Sequence, residues 1–283
     1  MNSQRNSAII RFKSQKDGIL KLKKSIGKSA DANFNIIPKV IKPLTAEKGV
    51  LKEDTDDFLY RSIIANTYNY MDSHDDVHVG NTFKKSISER KSDLLDSHIH
   101  TVGSRIGVKL ESREEIVNWK DVGYDIPGST IALIEDVELR KEYNKNIFNQ
   151  YKDNLITQHS VGMKYIQIAY AVDDINDKEG FAMYQKYLPI IGNSKEVEEQ
   201  GYFFPVSEAM LVETSAVLQG SNPLTGIYNT NQTAKAHEIE QLIKSFDNNE
   251  FIYNICKDIV NTYKVEPSND TPKSKPLYYM SSF

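Results

Sequence analysis

The sequence predicts an α+β domain built on a mostly antiparallel sheet. Strand-like stretches outnumber helical ones between residues 57 and 228, and the few helices fall between strands without regular alternation. Several of the strand-like runs are rich in β-branched and aromatic residues.

The elements follow in chain order. FLYRSIIANTYNY (58–70) reads as one or two strands, and MDSHDDVHVG (71–80) as a turn-rich, solvated loop. NTFKKSISER (81–90) is a short helix with Asn81 as N-cap. DLLDSHIH (93–100) alternates as a strand, and GVKLESREEIVNW and STIALIEDV are further strands. LRKEYNKNIFNQYKDN (139–154) has helical spacing, with Leu139, Tyr143, Ile147 and Tyr151 on one stripe. HSVGMKYIQIAYAVDD (159–174) is a long strand. EGFAMYQKYLPIIG (179–192) is a helix stopped near Pro189. YFFPVSEAMLVETSAV (202–217) is a strand bent near Pro205.

Outside this core, residues 1–56 form a partly flexible N-terminal extension. Its stretch KSQKDGILKLKKSIGK carries six lysines, read as a solvated arm or as a dock for an acidic partner. Residues 229–264 read as helices divided near DNN, and 265–283, rich in Pro, Ser and Lys, as a disordered tail.

Composition bounds the function. Hydrophobic residues make up 39% and charged residues 26%, with a net charge of −4. No general basic field favours nucleic acid. Cys256, the single cysteine, has no internal partner, which points to a reducing compartment. The apolar run in MNSQRNSAIIRFKSQ is too short for a signal peptide. No stretch approaches the ~18 apolar residues of a membrane span. A cytosolic protein, or one carried in a particle assembled there, is expected.

Three segments carry candidate chemistry, in the order histidine, serine, glutamate. In LLDSHIHTVGSRIG, His98 and His100 are two apart on the expected strand and so share a face with Asp96. In QHSVGMKY, Ser160 opens an apolar strand and Gly162 follows, where a glycine lets backbone approach a ligand. In EAMLVETSAV, Glu213 interrupts an apolar strand, costly for a carboxylate without a partner. Serine needs a base to take its proton, histidine suits that role near neutral pH, and a carboxylate fixes the histidine tautomer. The competing reading is metal binding through His98 and His100, with Asp96 or the loop residues His74, Asp75, Asp76 and His78 adding ligands.

Four motifs together resemble the prohead, or procapsid maturation, proteases of tailed bacteriophages, relatives of the herpesvirus assemblins. YMDSHDDVHVGNTFKKSIS resembles the opening segment, LLDSHIHTVGSRIGV the histidine segment, and QHSVGMKY the nucleophile strand. In EAMLVETSAVLQGSNPLTGI, Glu213, Ser215, Val217, Asn222 and Pro223 match the closing strand. The resemblance spans 57–228 and implies an assemblin-like closed β-barrel with surrounding helices. It implies Ser160 as nucleophile and Glu213 as third triad member. His98 matches the spacing upstream and is the preferred base; His100 matches the spacing downstream and is the alternative. Glu208 is a lesser candidate carboxylate, and His159 should face away. The implied activity is endopeptidase cleavage of scaffold and major capsid protein precursors, and of the chain itself, inside an immature procapsid in the bacterial cytoplasm. A homo-oligomer is compatible with it, and no metal, organic cofactor, membrane or specific nucleic acid is implied. A metal-dependent hydrolase using His98 and His100, or a non-catalytic head protein of the same fold, are the alternatives.

Overall fold

The computed structural model describes residues 2–26 and 52–229. Helix α1 (Asn2–Ile26) leads into a nine-stranded mixed sheet. Its strands are β1 (Phe58–Thr67), β2 (Asp76–His78), β3 (Asp93–Asp96), β4 (Arg105–Asn118), β5 (Ser129–Arg140), β6 (Gln158–Ile168), β7 (Ala171–Val172), β8 (Tyr202–Val217) and β9 (Ile227–Asn229). Helices α2 (Lys84–Glu89), α3 (Lys145–Lys152), α4 (Lys178–Tyr187) and α5 (Ser194–Gln200) surround it. The strand order is β2-β8-β3-β4-β5-β1-β9, with β6 and β7 also paired to β8. Only β2 and β3 run parallel to β8; the other pairings are antiparallel. The α+β class and the mostly antiparallel pairing are therefore as expected.

The closed barrel is not. One core cluster joins Ala65 of β1, Leu133 of β5, Val161 and Met163 of β6, and Leu211 of β8, so the sheet curls far enough for its distant strands to share an interior. Yet no ladder joins β6 to β1. Each instead bonds to the segment between them. His159 N donates to Thr225 O at 3.0 Å and Ile64 N to Gly226 O at 2.9 Å. Asn222 fixes that segment by donating from its side chain to Thr67 O at 2.7 Å.

Strand β8 organises the rest. Along one edge it pairs with β2 at 204–206 and with β3 at 213–216, leaving its middle uncovered by strand. Helix α2 and the turn that leads into it fill that interval. Ala209 N donates to Thr82 O at 2.9 Å, and Leu211 N donates to the Ser86 hydroxyl at 2.9 Å. The opposite edge carries β6 in antiparallel register, with Ser160 opposite Ser215 and Gly162 opposite Glu213.

Several local expectations are corrected. The lysine-rich arm is not solvated where it is described. Residues 2–26 are a helix docked on the body, with Phe12 stacked on Tyr202 at 4.2 Å and Ile9 buried. Its basic side chains pair with Asp173 (Arg5), Asp174 (Lys13), Asp177 (Lys16) and Asp76 (Lys23). The acidic partner is the protein's own surface. The DSHDDVH stretch is not an exposed turn throughout. Asp72 Oδ1 accepts from His74 N and Asp76 N, and residues 76–78 become the buried β2. Helix α2 starts at Lys84 with Phe83 at its cap, so Asn81 lies in the preceding turn. Helix α3 starts at Lys145, capped by Asn144, because Leu139 belongs to β5. The expected C-terminal helices and tail lie outside the described residues beyond Asn229. Among the described residues no helix is long and apolar enough to cross a membrane.

Candidate active site

Three strands lie side by side at the centre of the site. Asp93 of β3, Glu213 of β8 and Gly162 of β6 form one row; Leu95, Ser215 and Ser160 form the next. Paired residues of neighbouring strands point to the same face. Ser160, Gly162, Glu213 and Ser215 therefore share a face, while Val161 and Thr214 turn to the interior, both buried.

Glu213 is fully buried, and both its carboxylate oxygens are satisfied. His98 Nδ1 meets Oε1 at 2.6 Å, and the Ser215 hydroxyl donates to Oε2 at 2.6 Å. An ionised carboxylate can only accept, so Nδ1 carries a proton, and in the neutral ring Nε2 is the acceptor. That is the tautomer a general base requires. His98 keeps about a fifth of its side chain, 21%, open to solvent.

His98 and His100 do not share a strand face. Strand β3 ends at Asp96, and Ser97 and His98 both take positive φ, 50° and 58°. Left-handed backbone costs about 1–2 kcal/mol for each residue that carries a side chain. The turn is closed by Ile99 N donating to Asp96 O at 2.9 Å, and two bonds hold it to β8: Ser97 N donates to Ala216 O at 3.0 Å, and His98 N donates to the Ser215 hydroxyl at 3.0 Å. The turn carries the His98 ring over β8, and His100 falls in an exposed stretch beyond. His98, not His100, meets the carboxylate. The aligned histidine pair on which metal ligation rested is absent. No group of three or more His, Cys, Asp or Glu side chains among the described residues is placed to hold a metal ion.

Gly162 has a different purpose from the one its spacing suggested. A Cβ there would lie 2.1 Å from Glu213 Oε1. The missing side chain makes the slot that the carboxylate occupies. Oε1 also holds His98 Nδ1, and Ser160 is two residues from Gly162 along the same strand face. That is about 6.5–7 Å of backbone at the usual strand rise. Ser160 is half-buried, and its hydroxyl makes no hydrogen bond with any described residue, His98 included. Catalytic hydrogen bonds are often loose without substrate.

The remaining candidates separate cleanly. His159 is on the interior face, with Nε2 against the Tyr151 hydroxyl at 2.8 Å and Nδ1 against Thr225 O at 2.9 Å. Burial pushes its pKa down to about 4, so it is a neutral core residue. Glu208 pairs at the surface with Lys85 and Gln167. His78 is buried with Nε2 at 3.4 Å from Met163 Sδ. Asp76 serves Lys23 and the Tyr165 hydroxyl.

Behind the site, Lys109 of β4 lies buried with three acceptors: Ser92, Glu135 and the Thr214 hydroxyl, at 2.7, 2.9 and 2.8 Å. Thr214 lies between Glu213 and Ser215, so this cluster holds β8 from within. Neither this ion pair nor the bonding of Ser215 was read from the sequence. For Ser215 the signal was available: it lies two residues from Glu213, on the same strand face.

Comparisons with protein-family models, with curated proteins and with solved structures find no match for this chain.

Proposed function

We propose that this chain is a serine endopeptidase with Ser160 as nucleophile, His98 as general base and Glu213 as the carboxylate that orients the base. The observation that carries the reading is the buried Glu213 holding His98 Nδ1 at 2.6 Å on the strand face that also bears Ser160. A carboxylate buried in a strand is costly. Here it is spent on fixing one tautomer of a partly exposed imidazole.

The chemistry follows from that arrangement. His98 Nε2 takes the Ser160 proton as Oγ attacks the scissile carbonyl carbon. The imidazolium, stabilised by Glu213, then gives the proton to the leaving amine and the C–N bond breaks. Water, deprotonated by the same nitrogen, releases the acyl group and restores Ser160. The four-motif resemblance gives the substrate class: scaffold and major capsid protein precursors of a tailed phage, and the chain itself, within an immature procapsid. An assemblin-like ancestry with an unclosed sheet is the matching proposal for the fold.

A fluorophosphonate probe tests the reading on the full chain, with the adduct located by mass spectrometry. Labelling at Ser160 is expected, abolished by Ser160→Ala and slowed about 10³–10⁴-fold by His98→Ala or Glu213→Ala. His100→Ala should label normally. No labelling of the folded wild type, or labelling that survives Ser160→Ala, refutes the assignment. Co-expression with a capsid precursor then tests the substrate class through fragments that Ser160→Ala suppresses.

A further inference from the structure

We infer that Ser215 is a positioning residue for this site, an inference that rests on the serine-hydrolase reading above. The Ser215 side chain is completely buried, so it is not itself presented to a substrate. Its hydroxyl has one proton and lone pairs to accept with. The proton goes to Glu213 Oε2 at 2.6 Å, and a lone pair takes His98 N at 3.0 Å. Glu213 Oε1 returns to the same histidine through Nδ1 at 2.6 Å. Base, carboxylate and Ser215 thus form a closed ring of three hydrogen bonds, in which the histidine is gripped by both its backbone and its side chain.

The grip answers a need created by the fold. Strand β3 stops at Asp96, so the His98 amide no longer has a ladder partner, and the His98 backbone sits in the left-handed region at φ 58°. A residue there relaxes toward extended backbone unless something holds it. Such relaxation would swing the ring off Glu213. The Ser215 hydroxyl supplies the missing acceptor, and at the same time stops the second carboxylate oxygen from turning away from the histidine. Its register opposite Ser160 ties both functions to the nucleophile strand.

The test uses the full chain and a small alkyl fluorophosphonate, with inactivation rate and probe affinity measured separately. Ser215→Ala should leave probe affinity unchanged and slow inactivation about 10²-fold, the scale of a misplaced catalytic group. Ser215→Thr, which keeps the hydroxyl, should recover most of the rate. Ser215→Cys keeps the shape with a poor donor and should behave as Ser215→Ala; it substitutes for that variant should the alanine not fold. Wild-type inactivation in folded Ser215→Ala or Ser215→Cys overturns the inference, as does equal loss in the threonine and cysteine variants. Failure of Ser160 to label in the wild type is a different result and sinks the hydrolase reading instead.

Discussion

Replacing Gly162 with alanine puts a methyl carbon where Glu213 already lies. The new Cβ would be 2.1 Å from Oε1, 2.9 Å from Cδ and 3.1 Å from Cγ. Ordinary C···O contacts run at about 3.3–3.6 Å, so the carboxylate must move by more than an ångström. It can do so only by lengthening its bonds to His98 Nδ1 and to the Ser215 hydroxyl, both 2.6 Å. Hydrogen bonds to a charged group are worth about 1.5–3 kcal/mol each, and overpacking a tight site about 1–3 kcal/mol. Alanine in a strand otherwise gains about 0.5–1 kcal/mol over glycine. With those bonds lengthened but not broken, the expected net loss is about 1–3 kcal/mol, with fluorophosphonate labelling slowed by about 10²-fold or more. Urea denaturation followed by circular dichroism measures the first and mass spectrometry the second. The decisive comparison is a double-mutant cycle with Glu213→Ala, which empties the slot. Gly162→Ala should then cost nothing. An equal cost with and without the Glu213 side chain would refute the reasoning, and so would unimpaired labelling of Gly162→Ala.

Three further outcomes are expected. Phe12→Ala should destabilise by about 3–5 kcal/mol in urea denaturation, because Phe12 is 2% exposed, whereas Ile10→Ala, at 70% exposed, should be near neutral. A neutral result for Phe12→Ala would return α1 to the status of a loose arm. Lys109→Met should cost about 3–5 kcal/mol by stranding Glu135, and Lys109→Met with Glu135→Met should cost less than either change alone; additive losses would contradict it. His159 stays neutral down to a pKa of about 4 against an ordinary 6.5. Below pH 6.5 the unfolded chain binds a proton that the folded chain refuses. Its stabilising effect is therefore full above 6.5 and falls by about 3 kcal/mol as pH drops to 4. His159→Gln should flatten the stability–pH curve in that window, measured as the difference from wild type; parallel curves would show that His159 is not the group responsible.

The sequence makes some of this legible for identifiable reasons. The runs that became β1, β5 and β8 announce themselves through β-branched and aromatic density. Glu213 stood out because a carboxylate inside an apolar strand needs a partner, and the structure supplies one. His98 is the histidine that meets Glu213, but not from the strand its spacing suggested. The alternation in DSHIH imitates a strand, and nothing local reveals that Ser97 and His98 turn left-handed to meet a serine more than a hundred residues later. The Asp-rich stretch before Gly80 looked wet because the partners of its buried Asp76, Lys23 and Tyr165, are both remote in sequence. Likewise α1 looks like a free basic arm until Asp173, Asp174 and Asp177 are folded back onto it. Whether β1 and β6 would ladder together depended on where residues 224–227 run, which no periodicity encodes.

Helix α2, lodged between β2 and β3 on the edge of β8, has a consequence for alignment. A strand slipped by a single residue would turn Glu213 inward and present Thr214 in its stead. Such slippage must break the bonds from Ala209 to Thr82 and from Leu211 to Ser86, since a helix cannot creep along with a strand as another strand would. The small helix thus acts as a ratchet pawl, holding the acidic side chain to the one phase in which it faces the imidazole.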